Sequence, residues 1–208
     1  MKLSPVVRTL AGVIAVAALV AGAIPAQAGS LSWADPKGDA VGLGVADGPQ
    51  HDPNFDITAV SLESVGGKFT WTVKIPELAA GRPTLSTGYG FRFYFSHAAA
   101  PYYFQVGEDA TGAQTFVLST ATTPAVSLVC KDCKGKIDRK DKTVVVEAPL
   151  ASLDKAFTDA KLPAASGAEF SALDVWAQRR VGVPVNPGSG LVLVADKATA
   201  PEGSVFAL

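Results

Sequence analysis

Apolar and polar residues alternate along most of the chain from Gly29 onward. The clearest run is 68–75, KFTWTVKI, in which every second residue is a large apolar one and the residues between are Lys or Thr. A period of two puts successive side chains on opposite faces of a β-strand. This segment is therefore predicted to be a strand with one face in the core and the other in water.

The same pattern recurs between turns rich in Gly, Pro, Thr or Lys. Further strands are predicted at 56–62, 90–96, 102–106, 115–119, 125–130, 143–147, 170–179 and 191–195. Gly66-Gly67 predicts a hairpin between the first two strands, and 150–157, directly after Pro149, has the apolar spacing of a two-turn helix. Roughly nine to eleven short strands and one short helix are typical of an all-β, antiparallel two-sheet β-sandwich of the jelly-roll kind.

The first 28 residues follow a different pattern. Lys2 and Arg8 precede an apolar run at 10–20, and Ala26 and Ala28 stand in a small-x-small arrangement. This order predicts a secretory signal peptide at 1–28, cleaved after Ala28, and a single secreted, extracellular domain at 29–208. No later segment has the ~20 consecutive apolar residues of a membrane helix.

Charge argues against a nucleic-acid partner. Without Lys2 and Arg8 the 18 basic residues become 16 against 19 acidic ones, a net charge of −3. A chain of this charge has no electrostatic reason to bind DNA or RNA.

Five aspartates are crowded into 22 positions of the N-terminal region, with Lys37 as the only fixed positive charge among them. They are Asp35, Asp39, Asp47, Asp52 and Asp56. Oxygen ligands on an irregular loop suit calcium, which accepts six to eight oxygens in flexible geometry. The alternative is ordinary turn chemistry, because Asp beside Pro and Gly is a common turn former.

Three short motifs carry a resemblance to a known group. The segments Asp35-Pro36-x-Gly38-Asp39, 55–60 (FDITAV) and 195–198 (ADKA) resemble DOMON-like and family-9 carbohydrate-binding-module-like β-sandwich domains, a group that includes the C-terminal domain of glucodextranase. The resemblance spans most of the predicted mature chain. It implies a calcium ion near Asp35, Asp39 and Asp56, while Asp47, Asp52 and Asp196 match the pattern less well. It also implies that a sugar is one candidate ligand.

The only cysteines form the motif Cys130-Lys131-Asp132-Cys133. Export favours their oxidation, so a structural disulfide across a hairpin tip is predicted. A redox-active pair is the alternative, although that reading needs the first Cys at the start of a helix.

Strand parity points to one candidate ligand face. If 173, 175 and 177 face the core, then Trp176 and Gln178 face outward, and Arg92 and Tyr94 form a similar row. An outward aromatic ring beside hydrogen-bonding side chains suits a sugar-binding platform. The alternative is that Trp176 and Tyr94 are covered by the loop 184–187 or by the helix.

The sequence contains none of the common catalytic motifs, and no catalytic residues are predicted. These features together predict a secreted, non-catalytic, monomeric module that is stabilised by calcium and binds a carbohydrate or cell-wall ligand. The alternative from another class is an extracellular redox or hydrolytic enzyme that uses Cys130 and Cys133 or His97.

Overall fold

A computed structural model describes residues 29–40, 52–78, 88–109, 111–181 and 191–208. In these residues the chain forms twelve β-strands and one α-helix. The strands assemble into two antiparallel sheets, which confirms the predicted all-β, two-sheet architecture.

The strand bounds are as follows. They are β1 Gly29–Ala34, β2 Ala59–Val65, β3 Lys68–Lys74, β4 Gly88–His97, β5 Ala100–Glu108, β6 Gln114–Thr120, β7 Ser127–Leu128, β8 Lys134–Asp138, β9 Thr143–Pro149, β10 Glu169–Val181, β11 Leu191–Thr199 and β12 Val205–Ala207. The helix α1 spans Leu150–Asp159.

One sheet has five strands in the order β1-β2-β3-β9-β8, and the other has seven. In the second sheet β11, β10, β4, β5, β6 and β7 follow one another, and β12 pairs with the first residues of β10. Each described strand pair is antiparallel, as expected when most connections are short turns.

Large aromatic side chains fill the space between the two sheets. Phe69 of β3 packs within 6.1 Å of the rings of Phe104 and Phe170, measured between ring centroids. Trp71 and Val73 of the same strand are fully buried, so the parity predicted for 68–75 is confirmed. Burial of each such side chain contributes about 1.5–3 kcal/mol, which makes this alternation the main determinant of the fold.

The predicted helix is present and packs against the sandwich. Its buried face consists of Leu150, Leu153, Ala156 and Phe157. The Leu150 N–H donates to the Gly67 carbonyl at 2.9 Å, which ties the start of the helix to the β2–β3 hairpin. The helix extends two residues beyond the predicted 150–157.

Several strands differ from their predicted bounds. The strand predicted at 56–62 begins only at Ala59, and the Ile57 N–H donates to the Asp196 side chain and not to a neighbouring strand. The strand predicted at 125–130 is reduced to Ser127–Leu128. Three strands, β1, β8 and β12, were missing from the predicted set; they have six residues or fewer, so each has too few large apolar residues to establish a period of two.

The two sheets are also joined by a side-chain amide. Gln114 of β6 accepts a hydrogen bond from the Ile137 N–H at 3.0 Å and donates one to the Ile137 carbonyl at 3.1 Å. Ile137 belongs to β8, the last strand of the five-stranded sheet, so the amide connects the two sheets at that edge.

Within the described ranges, no helix has the length and apolar character needed to cross a membrane.

Candidate metal centre and candidate ligand face

Two aspartates of one turn and a third that is distant in sequence meet at one end of the sandwich. Asp35 directly follows β1, Asp39 lies in the turn after it, and Asp196 lies in β11 of the other sheet. One carboxylate oxygen from each lies within 4.8 Å of the other two. The cluster therefore contains two of the aspartates predicted as calcium ligands together with Asp196, which matched the calcium pattern less well.

Backbone hydrogen bonds hold this end of the sandwich together. The Gly38 N–H donates to Asp56 Oδ1 at 2.9 Å, and Gly38 adopts a φ of 93°, a conformation that favours glycine. Asp196 Oδ2 accepts from the Ile57 N–H at 2.7 Å. A carboxylate of the seven-stranded sheet thus binds the segment that leads into β2 of the five-stranded sheet.

Asp196 sits next to an irregularity in its strand. Ala177 of β10 pairs with Asp196, whereas Gln178 pairs with Val194, so Ala195 is an extra residue in β11. Such a bulge commonly redirects side chains at a functional site. Asp196 is 7% exposed, and its neighbour Ala195 is buried as well.

The carboxylates repel one another in a poorly solvated place. Burial, followed by the charges of Asp196, Asp39 and Asp56, raises the pKa of Asp35 to about 7. Burial also raises the pKa of Asp196 to about 6, although hydrogen bonds from the Ile57 and Lys197 N–H groups act in the opposite direction. These directions mean that the fully charged cluster is unfavourable unless a positive charge joins it.

The donor set fits a hard cation. Asp56 is fully buried, and its Oδ2 has no hydrogen-bond partner; the same is true of the buried Oδ2 of Asp35. In the described part of the chain, no Lys or Arg forms an ion pair with Asp35, Asp39, Asp56 or Asp196. Buried carboxylate oxygens without donors are costly, and an oxygen-only set of this kind suits calcium.

Two predicted calcium ligands that the structure describes, Asp56 and Asp52, are not among the three grouped carboxylates. Asp56 lies beside the group, and its charge helps to raise the pKa of Asp35. Asp52 Oδ1 accepts hydrogen bonds from the backbone and side-chain N–H groups of Asn54, both at 3.2 Å, and so closes a local turn. That Asp52 is a cation ligand stays a prediction. Asp47 lies outside the described residues.

A second candidate site lies on the outer face of the seven-stranded sheet. The ring of Trp176 lies 4.6 Å from that of Tyr94, which lies 5.6 Å from that of Tyr103. The Arg92 guanidinium lies over the Tyr103 ring at 4.7 Å, a cation–π distance. We call Trp176, Tyr94, Tyr103 and Arg92 the aromatic face; all four are half-buried.

Charged side chains border the aromatic face. Lys197 Nζ lies 5.6 Å from the centre of the Trp176 ring and 3.2 Å from Asp174 Oδ2. Leu173, Val175 and Ala177 are buried, so the predicted parity of β10 is confirmed. Gln178 departs from the prediction, because it is 8% exposed and offers no open amide to a ligand. The change occurs where the register of β10 against β11 shifts.

The helix does not cover Trp176 or Tyr94, since its buried residues contact the opposite, inner side of the sheets around Tyr102 and His97. Residues 184–187, the other predicted cover, lie outside the described part. Tyr102 and Tyr103 point to opposite faces as predicted: Tyr102 is buried and Tyr103 joins the aromatic face.

The outer face of the five-stranded sheet is chemically different. One register row across it reads Ser32, Ser61, Thr72, Val145 and Lys136. Its described side chains are small, hydroxylated or charged, and no aromatic ring lies among them. The aromatic face therefore distinguishes one outer surface of the sandwich from the other.

Cys130 and Cys133 form a disulfide, which confirms the predicted bridge. Its predicted position at a hairpin tip is wrong, because β7 pairs with β6 and β8 pairs with β9. Residues 129–133 carry the chain from one sheet to the other, and the disulfide closes that crossing. A strand follows Cys133, so the helix-borne arrangement of a redox couple is not present here.

His97, the other residue of the enzyme alternative, is 2% exposed. Its Nε2 lies 3.0 Å from the Pro163 carbonyl, and its ring lies against Phe157 at 4.8 Å. A histidine in this position packs the helix onto the sandwich and cannot meet a substrate in solvent.

A buried ion pair links the sheets at another point. Arg139, just after β8, donates to Glu108 Oε2 of β5 at 2.6 Å and also contacts the Tyr89 hydroxyl. Burial raises the pKa of Tyr89 to about 12, so the phenol is neutral and donates to Glu108. Arg139, Glu108 and Tyr89 are each hydrogen-bonded within this group, which indicates that the group stabilises the packing of the two sheets.

Three residues of these sites were outside the predicted ligand sets. Asp196 comes from a strand whose bulge leaves no periodic signal, although its position in ADKA matched the calcium pattern weakly. Tyr103 and Lys197 join the aromatic face only through strand pairing, with Tyr94 and Trp176 respectively.

Comparisons with known proteins add no assignment: no family model matches the chain, and neither the curated proteins nor the solved structures include a significant match.

Proposed function

We propose that this protein is a secreted, non-catalytic binding module in which a calcium ion braces one end of the β-sandwich and the aromatic face takes a carbohydrate of the cell surface or its surroundings. The observation that carries the proposal is the cluster of Asp35, Asp39 and Asp196. In and beside it, the buried Oδ2 atoms of Asp35 and Asp56 have no hydrogen-bond donor and no ion-pair partner among the described residues. The resemblance to DOMON-like and family-9 carbohydrate-binding-module-like domains remains a prediction in agreement with it.

The cation would join the turn after β1 to a strand of the other sheet. Asp35 and Asp39 flank the turn after β1, and Asp196 belongs to the seven-stranded sheet. Calcium supplies the positive charge that these carboxylates lack, and Asp56 supports the same turn through the Gly38 N–H. An ion that binds only the folded state stabilises it by mass action, which is the role we assign to calcium.

Export is part of the same proposal. What supports it is the disulfide, a bond that persists in oxidising surroundings.

The test of the metal part is Asp39→Asn, followed by thermal unfolding in EDTA and in calcium. Asp39 is exposed, and its carboxylate has no hydrogen bond to any residue that the structure describes, so the variant should fold. We expect the wild type to gain several degrees on adding calcium and the variant to gain far less. In EDTA the variant should equal or exceed the wild type, because one repelling charge has been removed.

Glu63→Gln is the matched control, since Glu63 is an exposed carboxylate on the outer face of the five-stranded sheet. It should respond to calcium like the wild type. If wild-type stability is the same in EDTA and in calcium, the cation role is wrong. If Asp39→Asn destabilises the protein equally in both solutions, Asp39 has a structural role only.

The carbohydrate part rests on the rings of Trp176 and Tyr94 beside hydrogen-bonding groups, which suit the apolar face and the hydroxyls of a sugar. Binding of a glycan panel to the wild type and to Trp176→Ala tests it. We expect at least one glycan to bind and the variant to lose it; no binding by the calcium-loaded wild type would contradict this part.

A further inference from the structure

We propose that the ligand of the aromatic face carries one carboxylate, as in a glycan built from uronic acids, and that Arg92 binds this carboxylate. This inference rests on the proposed function, because it names the class of sugar that the same face would take. It is argued from the charge and hydrogen bonding of the face alone.

Arg92 is held in place but not neutralised. Its Nε donates to Gln105 Oε1 at 2.8 Å, and its Nη1 lies 3.3 Å from the Tyr94 hydroxyl. Among the described residues, no group accepts from Nη2, and no carboxylate pairs with the guanidinium. The side chain is thus oriented by neutral groups, and its charge remains available.

The other charges described on the face cancel. Lys197 Nζ lies 3.2 Å from Asp174 Oδ2, so these two residues form an ion pair at the border of the face. Among the described side chains of the face, the positive charge of Arg92 is left without a counterion, in a domain that is negative in total. A ligand with a single negative charge complements it, whereas a phosphate dianion would leave an excess negative charge near Asp174.

The rings determine that the carboxylate belongs to a sugar. Trp176 and Tyr94 lie 4.6 Å apart and Arg92 lies over Tyr103, so the cation and the apolar rings share one surface. A pyranose ring can lie on the aromatic side chains while its carboxylate reaches the guanidinium, whose planar N–H groups match a carboxylate. Partial burial of Arg92 strengthens this interaction relative to water.

The experiment compares a neutral oligosaccharide that ends in a single galacturonate residue with its methyl ester, in which the sugar backbone is the same and the one charge is removed. Titration calorimetry is carried out on the purified protein in constant calcium. We expect the acid to bind about tenfold to a hundredfold more tightly than the ester, as is typical for one charge-assisted hydrogen-bonded contact. High salt should reduce this preference.

Arg92→Gln removes the charge and keeps a hydrogen-bonding amide. It should remove the preference for the acid, so that the variant binds acid and ester with equal affinity. Lys74→Gln, a cation removed from the outer face of the five-stranded sheet, is the control and should change neither. Thermal unfolding of both variants verifies that they are folded.

The outcomes separate the inference from the proposed function. Equal binding of acid and ester, equal loss of both in Arg92→Gln, or stronger binding of a phosphorylated oligosaccharide would overturn the uronate assignment and leave a carbohydrate module standing. If no glycan of any charge binds, both proposals are wrong.

Discussion

The clustered aspartates should give the metal-free protein an unusual pH dependence. An unfolded Asp protonates near 3.8, whereas in the folded protein the pKa of Asp35 is about 7 and that of Asp196 about 6. Between these values the folded state binds more protons than the unfolded state. The free energy of unfolding therefore falls as the pH rises from about 4 to about 7, and rises again when the pH is lowered.

The magnitude follows from the size of the pKa rise. One pKa unit corresponds to ~1.4 kcal/mol, and about one unit of the Asp196 rise to about 6 lies above pH 5, so Asp196 contributes roughly 1.4 kcal/mol between pH 5 and pH 8. Asp35, whose pKa is about 7, has about two units in this range; because it is nearer to solvent, we discount its contribution for screening to about the same size. We expect the metal-free protein to be roughly 3 kcal/mol more stable at pH 5 than at pH 8, or very roughly 10 °C in Tm for a domain of this size.

The assay is urea unfolding in EDTA between pH 5 and pH 8, followed by tryptophan fluorescence. This range avoids the acid loss of ordinary ion pairs, such as that of Glu147, whose pKa Lys68 holds below its usual value. With calcium present the dependence should reverse, because protons compete with the ion and calcium stabilises most at high pH.

Asp39→Asn should flatten the metal-free slope, since Asp39 is one of the charges that raise the pKa of Asp35. The reasoning is refuted if the wild type in EDTA is equally stable at pH 5 and pH 8, or more stable at pH 8. An unchanged slope in Asp39→Asn would show that the dependence arises elsewhere.

Three further substitutions test the packing by urea unfolding. Arg139→Met should cost roughly 3 kcal/mol because it leaves Glu108 buried without its partner; a neutral result would mean that the pair contributes nothing. Gly135→Ala should cost about 1–3 kcal/mol, since a Cβ there would lie 2.3 Å from Val106 Cγ2, and a stable variant would contradict this close approach of the sheets. Leu153→Ala should cost about 2–5 kcal/mol because Leu153 is fully buried in the helix; a loss below 1 kcal/mol would show that the helix is not part of the cooperative unit.

Alternation predicted the fold wherever one strand face is in the core. The run 68–75 was predictable because its large apolar residues must share one face, and β10 was predictable for the same reason. The position of β8 was not, since Lys134 to Asp138 contains one large apolar residue and is placed by its pairing with β9. The position of the disulfide was not predictable either. The Cys130–Cys133 spacing suggested a hairpin, whereas the strand pairing places the disulfide where the chain crosses from one sheet to the other.

The candidate sites were predictable only in the part that lies close in sequence. Asp35 and Asp39 belong to one turn, so their proximity follows from the motif. Asp196 joins them through the packing of the two sheets and a bulge, neither of which is visible in a single sequence. The alternation along β10 correctly predicted that Trp176 faces outward. The same alternation predicted an exposed Gln178, and this prediction is wrong because the register of β10 against β11 shifts at that residue.

The Gln114 amide has a consequence for how this protein meets other copies of itself. The edge of a sheet normally exposes N–H and C=O groups that can pair with a strand from another molecule. At Ile137 the N–H and the C=O are both hydrogen-bonded to the Gln114 amide, so neither is available to pair with another strand. An incoming strand would have to displace that amide and would also meet Lys134 and Lys136 on the same strand. A single glutamine thus protects the open edge of the five-stranded sheet against intermolecular pairing, in a protein that we expect to work outside the cell, where ATP-driven chaperones do not act.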